Sequence, residues 1–209
     1  MKKPIIIINF KTYKQGKEVI KLAKAIEKIN KDIIIGIQAT DIEELAKKTK
    51  LKIFSEHVDY QKPGRNTGFI LPEAIKKDKA VGTFLNHSEH KLKFNILKKT
   101  IERCRKIKLK TLVFASSLNE AKKIQKLKPT FLVIEPLELV GGKISVSEAK
   151  PELIKKISKN LKIPFLVGAG IHSSKDLKTS LKLGASGIAL SSAITLAKNP
   201  GKKLRELIS

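Results

Sequence analysis

The sequence predicts an α/β fold of the (β/α)8 barrel class, formed as one domain over residues 1–209. Short apolar runs rich in isoleucine, valine, leucine and phenylalanine alternate with segments whose apolar residues recur at helical spacing. Such alternation indicates a parallel sheet with right-handed crossovers. The runs are continuous in apolar character, as expected for strands that are buried on both faces. No reversal interrupts the eight strand–helix units, which favours closure into a barrel over an open doubly wound sheet.

The first four strands are predicted in the N-terminal half of the chain. Residues 5–8 are four successive isoleucines, and a β-branched run of this kind is typical of a buried strand. Between the strands, apolar residues recur at intervals of three and four, which favours helices. Residues 63–68 are predicted to be a loop because they are rich in proline, glycine and asparagine. The predicted strands are 5–8, 33–37, 52–56 and 80–84, and the predicted helices are 17–29, 41–49 and 72–77.

The C-terminal half repeats this rhythm with four more units. The predicted helices are 91–106, 118–126, 147–159 and 174–182, and the predicted strands are 110–114, 131–134, 163–167 and 187–190. Residues 191–208 are predicted to be a helical tail that is broken at Pro200-Gly201. No linker or low-complexity segment divides the chain.

The charge of the chain is strongly basic but dispersed. The formal net charge is +25, yet only four of the 44 basic residues are arginine, and the lysines occur in nearly every helical segment. A nucleic-acid-binding protein usually gathers its charge into one stripe and uses arginine for phosphate recognition. We therefore expect a lysine-rich solvent face and no specific nucleic-acid partner. The field of the whole chain still attracts anionic substrates.

The cysteine content and the hydropathy pattern predict a cytoplasmic protein. Cys104 is the single cysteine, so no intramolecular disulfide can form, which fits a reducing compartment. No signal peptide is expected before the first strand, and no apolar stretch approaches the length of a membrane helix. The four histidines lack the spacing of a zinc site. We therefore expect no membrane partner and no metal.

Polar residues fall at the ends of five of the predicted strands. In a barrel of this kind the active site lies at the carboxyl ends of the strands, so these residues are expected to meet at one mouth. They supply a carboxylate, an imidazole, an ammonium group and turns of small residues. The segments are Asn9-Phe10-Lys11 after strand one, Asn86-His87-Ser88-Glu89 after strand four, Glu135-Pro136 after strand six, Gly168-Ala169-Gly170 after strand seven and Ser191-Ser192 after strand eight.

The segments after strands one, four and six, in this order, resemble the signature of the triosephosphate isomerase family. Two further patterns are similar to the short archaeal branch of that family: Glu56-His57-Val58-Asp59 followed by Gly64 and Asn66-Thr67-Gly68, and Gly168-Ala169-Gly170-Ile171. The resemblance runs from residue 5 to about residue 198. It implies a TIM barrel that interconverts dihydroxyacetone phosphate and D-glyceraldehyde 3-phosphate, in glycolysis and gluconeogenesis.

The resemblance also implies a catalytic role for three residues. Glu135 is the implied base that removes the proton beside the substrate carbonyl, His87 polarises the carbonyl and shuttles protons, and Lys11 places a positive charge near the oxyanion and the phosphate. Such chemistry needs a desolvated base and preorganised donors. A helical pattern follows this segment, so a helix is expected to begin near His87. The implied supporting residues are Asn9, which binds the substrate oxygens, Ser88, which holds Glu135 at rest, and Glu89, which orients Lys11 or nearby loops.

The substrate phosphate is implied to lie where strands seven and eight end. Glycines there allow the backbone to approach closely, and the serine pair begins a helix whose amides point outward. A glycine in the loop after strand six is implied to add an amide when that loop closes. This binding mode needs no cofactor and no metal. The implied substrate-binding residues are Asn9, Lys11, Gly141, Gly168, Ala169, Gly170, Ser191 and Ser192.

The loop after strand six, residues 136–143, is implied to be a lid that excludes water. It departs from the family at three positions, because Leu137 replaces the usual proline and Gly142-Lys143 replace the usual threonine and glycine. A glycine costs entropy when the lid orders, and a lysine lacks the backbone freedom of glycine. His172 and Ser191-Ser192 also differ from the commoner small residues, which indicates rearranged phosphate contacts.

Two alternatives to the isomerase remain at this stage. One is a barrel enzyme that acts on a different sugar phosphate, and the other is a catalytically weakened barrel that binds another phosphorylated ligand or a polyanion such as RNA. The lid departures favour weakened catalysis, whereas the set of Asn9, Lys11, His87 and Glu135 favours the isomerase. The family further implies a homodimer or a homotetramer, in which the loop at 60–70 docks into a neighbouring subunit.

Overall fold

The protein folds as a closed barrel of parallel strands. The computed structural model describes residues 3–139 and 145–209. The strands are β1 (Ile5–Asn9), β2 (Ile34–Ile37), β3 (Lys52–Ser55), β4 (Gly82–Leu85), β5 (Lys110–Ala115), β6 (Phe131–Ile134), β7 (Phe165–Val167) and β8 (Gly187–Leu190). Each strand pairs in parallel with the next, and β8 pairs with β1 to close the ring. This arrangement confirms the predicted (β/α)8 barrel.

Helices connect the strands and cover the outside of the barrel. Each longer helix is amphipathic and turns its apolar stripe toward the strands; α1, for example, buries Val19, Leu22, Ala23 and Ile26. Within the described ranges, no helix has both the length and the apolar character that a membrane crossing requires. The helices are α1 (Lys17–Glu27), α2 (Ile42–Ala46), α3 (Pro72–Lys77), α4 (Phe94–Lys106), α5 (Leu118–Gln125), α6 (Val146–Ala149), α7 (Pro151–Asn160), α8 (Ser174–Lys182), α9 (Ser192–Thr195) and α10 (Pro200–Ile208).

Two differences between the predicted and the observed helices arise at prolines. The predicted helix 147–159 is two helices, because Pro151 keeps Lys150 out of the helical conformation (φ −138°, ψ 53°). In the tail, Pro200 does not interrupt a helix but begins α10, at a position where its missing N–H is not needed. Elsewhere the predicted and observed ends differ by a few residues without a proline; α4, for example, begins at Phe94 and not near residue 91.

The barrel interior is filled by side chains, so substrate can enter only at a mouth. Phe54 and Phe84 pack at the centre with ring centroids 5.9 Å apart. The space for them comes from glycines on β2 and β4: a Cβ at Gly36 would lie 2.0 Å from the Phe84 ring, and one at Gly82 would lie 2.4 Å from the Phe54 ring. The rest of this inner core consists of Ile7, Ile34, Leu112, Phe114, Val133, Leu166 and Ala189.

Three lysines occupy left-handed backbone just after a helix ends. They are Lys79 (φ 76°), Lys108 (φ 58°) and Lys128 (φ 56°). This conformation is usually taken by glycine, because a Cβ there approaches the carbonyl oxygen. The lysine-rich composition therefore extends to positions where another residue type fits better, at a cost in stability.

Candidate active site

A cleft opens at the carboxyl ends of the strands, directly above the filled interior. Its volume is about 640 Å³, including space that is open to solvent. Eight residues that the sequence analysis assigned to the site line this cleft, although they come from five different strand ends. They are Asn9, Lys11, His87, Glu135, Ala169, Gly170, Ser191 and Ser192. Gly141, Gly142 and Lys143 lie outside the described residues.

Glu135 and His87 face each other at the rim of this cleft. The Nε2 atom of His87 lies 3.3 Å from Oε2 of Glu135, and their side chains are 10% and 11% exposed. The two residues follow β6 and β4, which are separated by β5 in the ring. Strands that lie this close bring a carboxylate and an imidazole to the same small volume, within reach of one three-carbon substrate.

The imidazole of His87 is held in its neutral form. Burial lowers the pKa of His87 to about 4; the Glu89 carboxylate opposes this effect, and the positive charges of Lys11 and Lys91 add to it. The backbone N–H of Glu89 donates to Nδ1 at 3.2 Å, so the ring proton resides on Nε2, which faces Glu135. The prediction that a helix begins near His87 is wrong, because α4 begins only at Phe94. The Glu89 N–H belongs instead to a tight turn that follows His87.

The carboxyl group of Glu135 lies in a poorly solvated position. Burial raises its pKa to about 7, and Glu89 contributes in the same direction, whereas Lys11, the Ser88 hydroxyl and Lys91 lower it. Among the described residues, neither Oε2 of Glu135 nor Oγ of Ser88 has a well-formed hydrogen bond. Ser88 is therefore near enough to influence the carboxylate without tying down the oxygen that faces the cleft.

Gly168 lies behind Glu135 and is not among the residues that line the described cleft. A Cβ at this position would lie 2.9 Å from Oε1 of Glu135 and 3.0 Å from Cγ1 of Val133. A side chain at residue 168 would therefore push the carboxylate out of place. The resemblance implies phosphate binding for this glycine, whereas its N–H donates to the carbonyl oxygen of Ile134 at 2.9 Å and the space beside its Cα is taken by Glu135.

Lys11 is fixed by both its backbone and its side chain. Its backbone takes a positive φ of 48°, and its N–H donates to Oδ1 of Asn9 at 2.9 Å. Its ammonium group lies 2.6 Å from Oε1 of Glu89, the residue that the resemblance implies would orient Lys11 or nearby loops. The positive charge is thereby held at the cleft beside His87 and Glu135.

The ends of β7 and β8 form the opposite wall of the cleft. Ala169 (φ 70°) and Gly170 (φ 65°) are successive residues with left-handed backbone, and both line the cleft. Ser191 precedes α9, whose first amides have no partner within the helix, and the buried Oγ of Ser191 has no hydrogen-bond partner among the described residues. This wall offers donors and carries no carboxylate, as a phosphate requires.

Two acidic residues near the cleft were missed by the sequence analysis as individual contributors. Asp176 holds the loop after β7, since its Oδ2 accepts the N–H groups of His172 at 3.1 Å and Ser173 at 2.9 Å; the Ser-x-x-Asp spacing of a capping box was the signal. Glu56 lies beside Lys11, and burial together with the charge of Glu89 raises its pKa to about 7. No sequence pattern marks its burial.

Comparison with known proteins shows similarity over the whole chain. A family model described as triosephosphate isomerase matches residues 4–208. A triosephosphate isomerase of Saccharolobus solfataricus is 41% identical, over 100% of this chain and 96% of the relative. That of Sulfolobus acidocaldarius is 38% identical, over 100% and 95%, and that of Methanocaldococcus jannaschii is 36% identical, over 98% of each.

Proposed function

The chain belongs to the triosephosphate isomerase family, and from this premise we propose that Glu135, His87 and Lys11 carry its reaction. The protein is an aldose–ketose isomerase that interconverts dihydroxyacetone phosphate and D-glyceraldehyde 3-phosphate in glycolysis and gluconeogenesis. The observation that carries the residue assignment is the 3.3 Å approach of the Glu135 carboxylate to the neutral imidazole of His87.

In the proposed mechanism, the Glu135 carboxylate removes a proton from the carbon beside the substrate carbonyl. The electron pair of that C–H bond forms the carbon–carbon double bond of an enediolate, and the carbonyl π electrons move to oxygen. The Nε2–H of His87 donates to that oxygen, and the charge of Lys11 stabilises it. Protonated Glu135 then returns the proton to the neighbouring carbon, while His87 mediates proton transfer between the two oxygens.

The pKa shifts of Glu135 and His87 support their proposed roles as base and hydrogen-bond donor. A carboxylate in a poorly hydrated site is a stronger base than one in water, and the raised pKa of Glu135 expresses this property. The lowered pKa of His87 keeps the imidazole neutral, so it remains a donor and does not neutralise Glu135 as a permanent ion pair. Asn9, Ser88 and Glu89 are proposed to support these groups, Asn9 as a ligand for substrate oxygens.

The phosphate is proposed to bind the wall formed by the ends of β7 and β8. The backbone of Ala169 and Gly170 and the Ser191-Ser192 pair are the proposed donors, with Gly141 added when the lid closes. Gly168 is not proposed as a donor, because its N–H donates to the carbonyl oxygen of Ile134 at 2.9 Å. The described start of the lid is a single turn at residues 137–139, in which Glu138 pairs with Lys150. This ion pair supports a lid whose N-terminal end is held against Lys150, the residue between α6 and α7.

We also propose a cellular location and an oligomeric state for the protein. A cytoplasmic location is supported by the single cysteine, Cys104, which is buried in its thiol form. A homodimer or homotetramer is supported by the loop at 60–70, where Phe69 is 48% exposed. Triose phosphates are the proposed small-molecule partners, and no cofactor, metal or specific nucleic acid is proposed.

A coupled assay with D-glyceraldehyde 3-phosphate tests the residue assignment. Glu135→Gln keeps the size of the side chain and removes the base, so we expect a loss of kcat of about 1,000-fold or more with the fold retained. An exposed acidic residue on a helix, Glu102→Gln, is the control and should leave kcat unchanged. Full activity in Glu135→Gln would contradict the proposal. An inactive wild type that binds RNA with a steep salt dependence would instead support the polyanion alternative.

A further inference from the structure

The segment that carries His87 is held from outside the cleft. Asn86, the residue before it, is buried and has a positive φ of 61°. Its Nδ2 donates to the carbonyl oxygen of Phe114 and to Oε1 of Glu120, both at 2.9 Å. Its Oδ1 accepts the N–H of Leu92 at 3.1 Å. Asn86 therefore ties the end of β4 to the end of β5 and to the first turn of α5.

Glu120, the third residue of α5, is the hub of these contacts. Its Oε1 also accepts from Nζ of Lys91 at 2.7 Å, and its Oε2 accepts from the N–H and the hydroxyl of Ser116 at 2.7 and 2.8 Å. Burial raises the pKa of Glu120, but Lys91, Ser116 and Asn86 outweigh burial and lower it. The carboxylate is thus ionised, both of its oxygens accept hydrogen bonds, and charge-assisted hydrogen bonds of this length are strong.

We propose that Glu120 is a positioning residue for His87, acting through Asn86 and Lys91, which flank the turn at residues 87–90. The inference rests on the proposed function of His87. Glu120 is not among the residues that line the described cleft, so it acts on the reaction only through its neighbours.

The contacts of the His87 ring explain how this influence reaches the reacting atoms. The ring packs edge-on against the ring of Phe114, with centroids 4.6 Å apart. Phe114 is also the residue whose carbonyl oxygen accepts from Asn86. Without Glu120, Asn86 loses one of its acceptors and Lys91 loses its counter-ion, so the turn gains freedom on both sides. A displacement of a catalytic group by less than 1 Å is enough to slow catalysis by about tenfold.

A matched pair of variants on α5 separates positioning from simple stability. Glu120→Ala removes the hub, whereas Ser117→Ala removes only the N-cap of the same helix, which accepts the Glu120 N–H at 3.2 Å. We expect Glu120→Ala to lower kcat about tenfold, with KM changed by less than about twofold. We expect Ser117→Ala to keep both constants while it destabilises the helix.

Two further variants test the route through Asn86. Glu120→Gln keeps the size of the side chain but replaces one carboxylate oxygen with an NH2 group. This group faces the donors of either Ser116 or Asn86, so one hydrogen bond is lost and kcat should fall by an intermediate factor of about three. Asn86→Gly accepts the positive φ and removes the side chain. Glu120→Gln should lower kcat by a smaller factor in the Asn86→Gly background than in the wild-type background, because the two residues act through the same contact.

Three results would overturn the inference. They are wild-type kcat in a folded Glu120→Ala, equal losses in Glu120→Ala and Ser117→Ala, and independent effects of Glu120→Gln and Asn86→Gly. If Glu120→Ala does not fold, the Gln variant and its coupling decide the question. His87→Gln in the same assay separates a failure of the proposed function from a failure of this inference. Full activity of His87→Gln would contradict the proposed role of His87. An inactive His87→Gln together with a fully active Glu120→Gln would contradict only the positioning role of Glu120.

Discussion

Gly168→Ala tests how tightly the proposed base, Glu135, is held in position. The added Cβ lies 2.9 Å from Oε1 of Glu135 and 3.0 Å from Cγ1 of Val133, whereas ordinary contacts begin at 3.4 Å. Val133 is fully buried in the packed barrel interior and has little room to yield. The Glu135 carboxylate must therefore move, by about 0.5 Å, to restore normal contact.

A shift of this size places the base off its line to the substrate carbon. We expect kcat to fall about tenfold, which corresponds to about 1.4 kcal/mol in activation free energy. KM should change by less than about twofold, because the phosphate-binding wall is untouched. The coupled isomerase assay measures both constants.

Gly201→Ala is the matched control for this substitution. Its Cβ would meet nothing closer than 3.8 Å, and residue 201 lies within α10, so kcat should stay at the wild-type value. A folded Gly168→Ala with wild-type kcat would refute the reasoning, since it would mean that the position of the carboxylate is not constrained from behind.

Three other predictions concern pH, stability and phosphate binding. Because burial raises the pKa of Glu135 to about 7 and only its ionised form accepts a proton, kcat/KM should fall about tenfold per pH unit below pH 7; a flat profile down to about pH 5 would contradict this. Lys108→Gly relieves left-handed backbone (φ 58°) and should raise the free energy of unfolding by about 1 kcal/mol, whereas Lys98→Gly within α4 should lower it by about 1 kcal/mol; urea denaturation compares them, and equal losses would argue against backbone strain at Lys108. Ser191→Ala removes a buried hydroxyl in the phosphate wall and should raise KM and the Ki of inorganic phosphate about tenfold with little change in kcat; an unchanged Ki would place the phosphate elsewhere.

The barrel was predictable because its signal is local and repeated. Continuous apolar runs such as residues 5–8 mark strands that are buried on both faces, and helical spacing marks what lies between them. Once the strand ends are known, parallel topology alone brings the residues after β1, β4 and β6 to one mouth. The convergence of Asn9, Lys11, His87 and Glu135 on one cleft follows from this rule.

The contacts that tune the site were not predictable from the sequence. Asn86 and Glu120 are 34 residues apart, and their pairing depends on how α5 docks beside the end of β4. Gly168 looked like a phosphate-binding residue because glycine permits close approach, but the identity of the approaching group, Glu135, is a matter of packing. The burial of Glu56 likewise depends on its three-dimensional neighbours and has no local signature.

The turn at His87 illustrates a different limit. A helical pattern after Glu89 predicted a helix that starts near the imidazole, and the chain instead forms an irregular segment up to Phe94. The amide of Glu89 still donates to Nδ1 of His87 and so places the ring proton on Nε2, whereas the lowered pKa of the imidazole comes first from burial and then from Lys11 and Lys91. The sequence pattern predicts the helix α4, but it does not predict the turn that places the Glu89 N–H beside His87.

The central step of the proposed reaction is proton abstraction by Glu135 beside a neutral His87. Incorporation of deuterium from D2O into dihydroxyacetone phosphate, followed by proton NMR, measures that step directly and needs no coupling enzyme. The wild type should exchange the proton during turnover, and Glu135→Gln should not exchange it above background while it still binds phosphate. Exchange by Glu135→Gln at the wild-type rate would show that another group is the base and would contradict the account.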